Sequence, residues 1–130
     1  MLAWLLVIFL PRWKYTRFAV LSGTIPLLLS VAYLILIVVF FGSAEGGFGS
    51  LADVMKLFTN EWVVLAGWIH YLAFDLFVGS WEVKDAQVNG ISHWLVIPCL
   101  ILTFMLGPVG FLLYNIIRLF ALKKEVKNDR

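Results

Sequence analysis

Hydrophobic positions in this chain fall in long unbroken runs rather than in alternation. Four stretches carry them, at about residues 1–10, 18–41, 62–81 and 94–122. Runs of this kind, separated by short polar connectors, predict helices that cross a bilayer. Their continuity argues against the alternating pattern of a barrel. Lipid offers backbone N–H and C=O groups no partner, so each spanning segment must pair internally. The pattern predicts an all-α membrane protein: one domain of 130 residues, a four-helix transmembrane bundle whose first helix is short or truncated.

The connectors add detail. Residues 1–10 reach about 15 Å as a helix, half of a hydrocarbon core of about 30 Å. Positive charges follow this run instead of preceding it, unlike a signal peptide. Two readings stand: a half-span or interfacial helix, or a chain that begins late within a longer first helix. Pro11-Arg12-Trp13-Lys14-Tyr15-Thr16-Arg17 is a basic-aromatic connector suited to the headgroup level. It can set topology or offer a basic pocket to an anionic lipid, and topology is the plainer role. Gly23 and Pro26 predict a local bend in the second run. Residues 42–49 form a glycine-rich turn. Residues 50–59 predict a short amphipathic interfacial helix, capped by Ser50 with Asp53 three residues on. Leu51, Val54, Met55 and Phe58 share its apolar face. Residues 82–92 predict a polar loop with a turn at Asn89-Gly90.

The last run is long for one crossing, which predicts tilt or projection beyond the membrane. Pro98 and Gly107-Pro108-Val109-Gly110 predict bends in it, and Thr103 with Gly107 forms a small-xxx-small pair. Counted this way, three spans separate the basic connector from the basic tail after Leu122. The two would lie on opposite sides, although each favours the cytoplasm.

Composition narrows the function classes. Hydrophobic residues make up 62% of the chain and charged residues 14%, with a formal net charge of +2. So small a charge gives no reason to expect a nucleic-acid partner. Cys99 is the single cysteine, which excludes an intrachain disulfide and a cysteine metal cluster. His70 and His93 are the two histidines and are not paired in spacing, so a histidine-rich di-iron oxygenase is excluded. No metal and no cofactor is expected. The chain has no glycine-rich phosphate loop, nucleophile elbow or dinucleotide fingerprint.

The third run carries the candidate chemistry. An ionisable residue at membrane depth is costly and is a functional candidate by default. Asp75 and His70 lie within this run, and Glu82 and Asp85 at its exit. At about 100° per residue, Glu61, Trp68, Asp75 and Glu82 stay near one face, with Tyr71 beside Asp75. His70 lies about 140° around the helix from Asp75, on a face shared with Gly67, Phe74, Phe77 and Trp81. Asp75, His70, Glu82 and Asp85 are the candidate catalytic groups. Each also has a plainer role: a helix-bridging hydrogen bond for Asp75 and His70, a solvated interfacial charge for Glu82 and Asp85. Trp68, Tyr71, Phe74, Trp81 and His93 are the candidate ligand-binding side chains. An aromatic wall can line a groove for an extended apolar ligand, and it can equally be ordinary bundle packing.

Several motifs together resemble a known family. Gly67-Trp68-Ile69-His70, Asp75-Leu76-Phe77-Val78-Gly79 with Trp81, and Gly90-Ile91 belong to the pattern. So do Pro98-Cys99-Leu100, Phe104-Met105-Leu106-Gly107-Pro108-Val109-Gly110, and Leu10-Pro11-Arg12-Trp13 with Thr16-Arg17. Together they resemble the abscisic-acid-deficient-4-like family of small multi-pass proteins, over nearly the whole chain. Plant members of that family are required for neoxanthin formation from violaxanthin in plastids. The resemblance implies a four-helix membrane fold and a carotenoid-type ligand. Family members have a complete first helix, which favours a late start here. No plastid transit peptide is visible, which points to a bacterial cell membrane, where the plant substrate does not transfer.

Three function classes follow from these readings. The first is a redox-neutral isomerase acting on a carotenoid or isoprenoid: one group protonates an epoxide oxygen while another removes a proton from the adjacent polyene carbon. The second is a non-catalytic pigment- or lipid-binding protein, or an assembly factor for a membrane complex. The third, a small transporter or channel subunit, requires a homo-oligomer. Membrane lipid is an expected partner in each.

Overall fold

The computed structural model describes residues 2–128, and among these every regular element is helical. Helix α1 (Leu2–Phe9) ends at Pro11. A short helix α2 (Lys14–Thr16) continues as a π-helical turn at Arg17–Leu21, and α3 spans Thr24–Phe40. Then come α4 (Leu51–Leu57), α5 (Glu61–Val88), α6 (His93–Leu106) and α7 (Pro108–Asn128). Two helical stretches, Lys14–Ser43 and Glu61–Val88, are long and apolar enough to cross a membrane by length and composition. The chain divides into two compact units, one of residues 1–25 with those from 75 on, the other of residues 26–74.

In the 26–74 unit, local sequence sets the helix boundaries. The Asn60 side chain accepts from the Trp62 and Val63 amides at 3.0 and 3.3 Å and so starts α5. Ser50 caps α4: the Asp53 amide donates to its hydroxyl at 3.1 Å, and the hydroxyl reaches the Asp53 carboxylate at 2.7 Å. The apolar face of α4 faces outward, and a residue outside that set points in. Leu57 points inward, while Leu51, Met55 and Phe58 stay exposed. The expected break in the second run falls at Gly23, which holds φ +86° between Leu21 and Thr24, and not at Pro26. Pro26 sits in the first turn of α3, where its missing N–H costs nothing.

The other unit holds two larger corrections. The expected loop at 82–92 shrinks to residues 89–92, because α5 continues through Val88. Glu82 and Asp85 therefore project from a helix. The expected single helix at 94–122 is two helices that turn back at Gly107 and pack against each other. Gly107 holds φ +43°, a conformation open to glycine at little cost. Three residues on, a Cβ at Gly110 would collide with the Thr103 backbone and the Cys99 carbonyl. That contact lets α7 run back along α6, with Ile117 and Phe120 beside Leu95. The core of this unit gathers Trp4, Val96, Cys99, Leu100 and Tyr114, and the Trp4 ring lies 5.2 Å from that of Phe104.

The close approach at Gly110 makes it intolerant of a side chain. Gly110→Leu should destabilise the purified protein by about 2 kcal/mol or more. Gly107→Ala should cost about 1–3 kcal/mol from backbone strain. Gly47→Ala, with open space around it, should leave thermal unfolding in detergent unchanged.

Candidate functional site

Three carboxyl groups leave the second half of α5. Asp75 and Glu82 are seven residues apart, two helical turns, and share a face. Asp75 is 9% exposed, and its Oδ1 lies 2.9 Å from where a Gly107 Cβ would stand, so it sits at the α6–α7 turn. Glu82 is 0% exposed. The Thr103 hydroxyl donates to its Oε1 at 2.9 Å, while its Oε2 has no hydrogen-bond partner among the described residues. A buried polar atom left without a partner is costly, and such atoms often mark function.

Asp85 stands in a different setting. Its Oδ2 accepts from the Tyr114 hydroxyl at 2.6 Å and from Arg118 Nε at 2.7 Å, the latter an ion pair. Tyr114 and Arg118 are four residues apart on α7, so one helix face delivers both. Trp81 closes this side, edge-on to Tyr114 at 5.5 Å and tilted against Phe111 at 5.6 Å. Asp85 is thus committed to holding α7 through Oδ2, and of the two acids at the end of the apolar run Glu82 is the one with a buried oxygen that lacks a hydrogen-bond partner among the described residues.

His70 belongs to the 26–74 unit. Its ring stacks on Phe74 at 4.7 Å and meets Tyr33 edge-on at 5.3 Å. It lines a groove of about 220 Å³ with Tyr33, Phe41, Phe48, Phe58 and Gly67 among its walls. Tyr33 and His70 carry the side-chain hydrogen-bonding groups of that lining.

The remaining candidates are dispersed. Trp68, expected on the Asp75 face, is 64% exposed. Tyr71 is also exposed. The His93 ring meets the Ile8 carbonyl through Nε2 at 2.8 Å, tying α6 to α1. The structure brings Glu82, Asp85 and Trp81 to the α6–α7 hairpin, and His70 with Phe74 to the groove.

Sequence reasoning passed over Tyr114 and Arg118, and read Thr103 only as a small packing residue beside Gly107. The signal for Arg118 was present: it is a lone arginine inside the apolar stretch Phe111 to Leu122, and a charge so placed needs a partner. Thr103 offered no comparable signal, because a threonine in an apolar helix usually bonds its own backbone.

These features define a membrane-associated, all-helical protein with buried acids and an aromatic groove. The chain belongs to the ABA DEFICIENT 4-like family, whose model matches residues 1–114. No curated protein and no solved structure matches it.

The two acids of the hairpin should respond differently to substitution. Glu82→Gln keeps an acceptor for Thr103 and should fold, whereas Glu82→Ala leaves a cavity and a stranded hydroxyl, costing about 2–4 kcal/mol. Tyr114→Phe should cost about 1–2 kcal/mol for the lost hydrogen bond. Thermal or denaturant unfolding of the purified variants measures both, and equal stability of Glu82→Ala and Glu82→Gln would contradict this account of the buried carboxyl.

Proposed function

We propose that this protein binds a carotenoid or related oxygenated isoprenoid within a membrane. The groove beside His70 carries the proposal. Its walls are largely aromatic and aliphatic, and His70 and Tyr33 add hydrogen-bonding groups to them. An end ring of a long apolar molecule, bearing one oxygen, matches such a lining. Family membership supports a carotenoid-related role.

A second reading, a redox-neutral isomerase, draws on Glu82. Its unengaged oxygen could donate or accept the proton that epoxide opening requires, with Asp75 as the other buried acid of that face. Asp85 is the weaker candidate, because Tyr114 and Arg118 already occupy it.

In this reading the chain crosses the bilayer more than once, and the hairpin removes a conflict of charge. Within the unit of residues 1–25 and 75 onward, Arg12 lies against the 90–93 turn, and Phe120 and Ala121 lie beside that same turn. The basic connector and the start of the basic tail therefore share one end, which the positive-inside rule assigns to the cytoplasm. In a Cys99→Ala background, Lys14→Cys and Lys123→Cys should label from the same face of sealed vesicles. Labelling from opposite faces would restore the single-span reading of residues 94–122.

Co-expression with pathways for plain, hydroxylated and epoxidised carotenoids, followed by purification in mild detergent, tests the ligand. Pigment should copurify with the protein. His70→Ala and Phe58→Ala should lower it several-fold at unchanged elution volume. Absence of pigment under all three regimes rules out the binding reading. An allenic product that disappears in Glu82→Gln would establish catalysis.

A further inference from the structure

The basic end of the unit formed by residues 1–25 and 75 onward holds a cleft of about 230 Å³. The Pro11-Arg12 connector, the last turns of α5 at Gln87 and the 90–93 turn make its wall. None of the residues lining it is acidic. Of the acids of α5 near this end, Asp85 is paired with Arg118, and neither Asp85 nor Glu82 lines the cleft. Arg12 is exposed and makes no ion pair among the described residues. Ser92 precedes α6 without capping it through its side chain, which leaves the hydroxyl for another partner. His93 is held in the wall by the Ile8 carbonyl. On the same connector, Trp13 and Tyr15 meet edge-on at 4.9 Å and face outward, as aromatics at the headgroup level do.

We propose that this cleft binds a phosphate-bearing anion. The Arg12 guanidinium grips the phosphate through its planar fork, and Ser92 and Gln87 donate to the remaining oxygens. A basic pocket between helices at a cytoplasmic surface is suited to the head group of an anionic phospholipid, and a soluble phosphate offers the same chemistry. None of the cleft's residues belongs to the His70 groove, so the site stands whether or not a pigment is bound there.

The test uses the full chain, purified and stripped of lipid in mild detergent. It is titrated with phosphatidylglycerol, phosphatidylcholine and inorganic phosphate, and followed by native mass spectrometry and thermal unfolding. Phosphatidylglycerol should bind at least about tenfold more tightly than phosphatidylcholine, a difference of about 1.4 kcal/mol. Arg12→Gln should abolish that preference. Ser92→Ala should weaken binding a few-fold at unchanged elution and helix content, and Lys56→Gln should change nothing. Equal or tighter binding of inorganic phosphate, lost in Arg12→Gln, keeps the site and assigns it to a soluble ligand. Equal binding of the two lipids with no binding of phosphate overturns the proposal. So does an equal loss in Arg12→Gln and Lys56→Gln, which would mean diffuse attraction.

Discussion

The close approach of α7 to α6 at Gly110 is the constraint on which the unit of residues 1–25 and 75 onward depends. With no Cβ there, α7 comes against the Thr103 backbone and the Cys99 carbonyl, and the chain reverses at Gly107. The reversal puts Tyr114 and Arg118 within reach of Asp85, and the approach leaves Thr103 facing Glu82. A straight helix over the same residues would carry Arg118 away from α5, and Asp85 would lose its cation. One missing methyl group thus decides whether two acids on another helix meet the partners that α6 and α7 offer.

Those acids explain in turn why α5 can be long. A helix bearing Glu82 and Asp85 just beyond an apolar run would be expected to end before them and release both to water. Here the hairpin supplies a hydroxyl for one, and a phenol and a guanidinium for the other. With these partners the helix continues to Val88, where the Ile91 amide closes the turn onto the Ala86 carbonyl at 2.9 Å. The remaining asymmetry, an unpartnered Glu82 Oε2, is the kind of local cost that packing alone does not require.

Much of this was legible in the sequence, for identifiable reasons. The helical content followed from continuous apolar runs and the start of α4 from Ser50 and Asp53, whereas the end of α5 was expected at Trp81 and falls at Val88, just before Asn89-Gly90. The hairpin was not legible, because Gly107-Pro108-Val109-Gly110 serves a kinked helix and a reversed chain equally well. What distinguishes them is the space between Gly110 and Thr103, a tertiary fact. The exposure of Trp68 was hidden for a related reason. Placing it on the face of Asp75 assumed uniform surroundings along α5, yet that face is exposed at Trp68 and buried at Asp75 and Glu82. Arg118 was legible in principle, because a lone cation in an apolar run implies an acid nearby, and Asp85 was among the acids at hand.

The change of surroundings along α5 bears on mechanism. Its first half presents His70 to an aromatic groove in the 26–74 unit, and its second half presents Asp75 and Glu82 to the hairpin. The imidazole has rings for neighbours; the carboxyls have a hydroxyl and a glycine turn. A reaction that used His70 and Asp75 as an acid–base pair would need both at one atom, and about 140° of helix lies between them. The arrangement fits better with a division of roles. Under the function proposed above, recognition of an apolar ligand would fall to the groove, and any proton transfer to the acids of the other half, where Glu82 and Asp75 occupy the same face two turns apart.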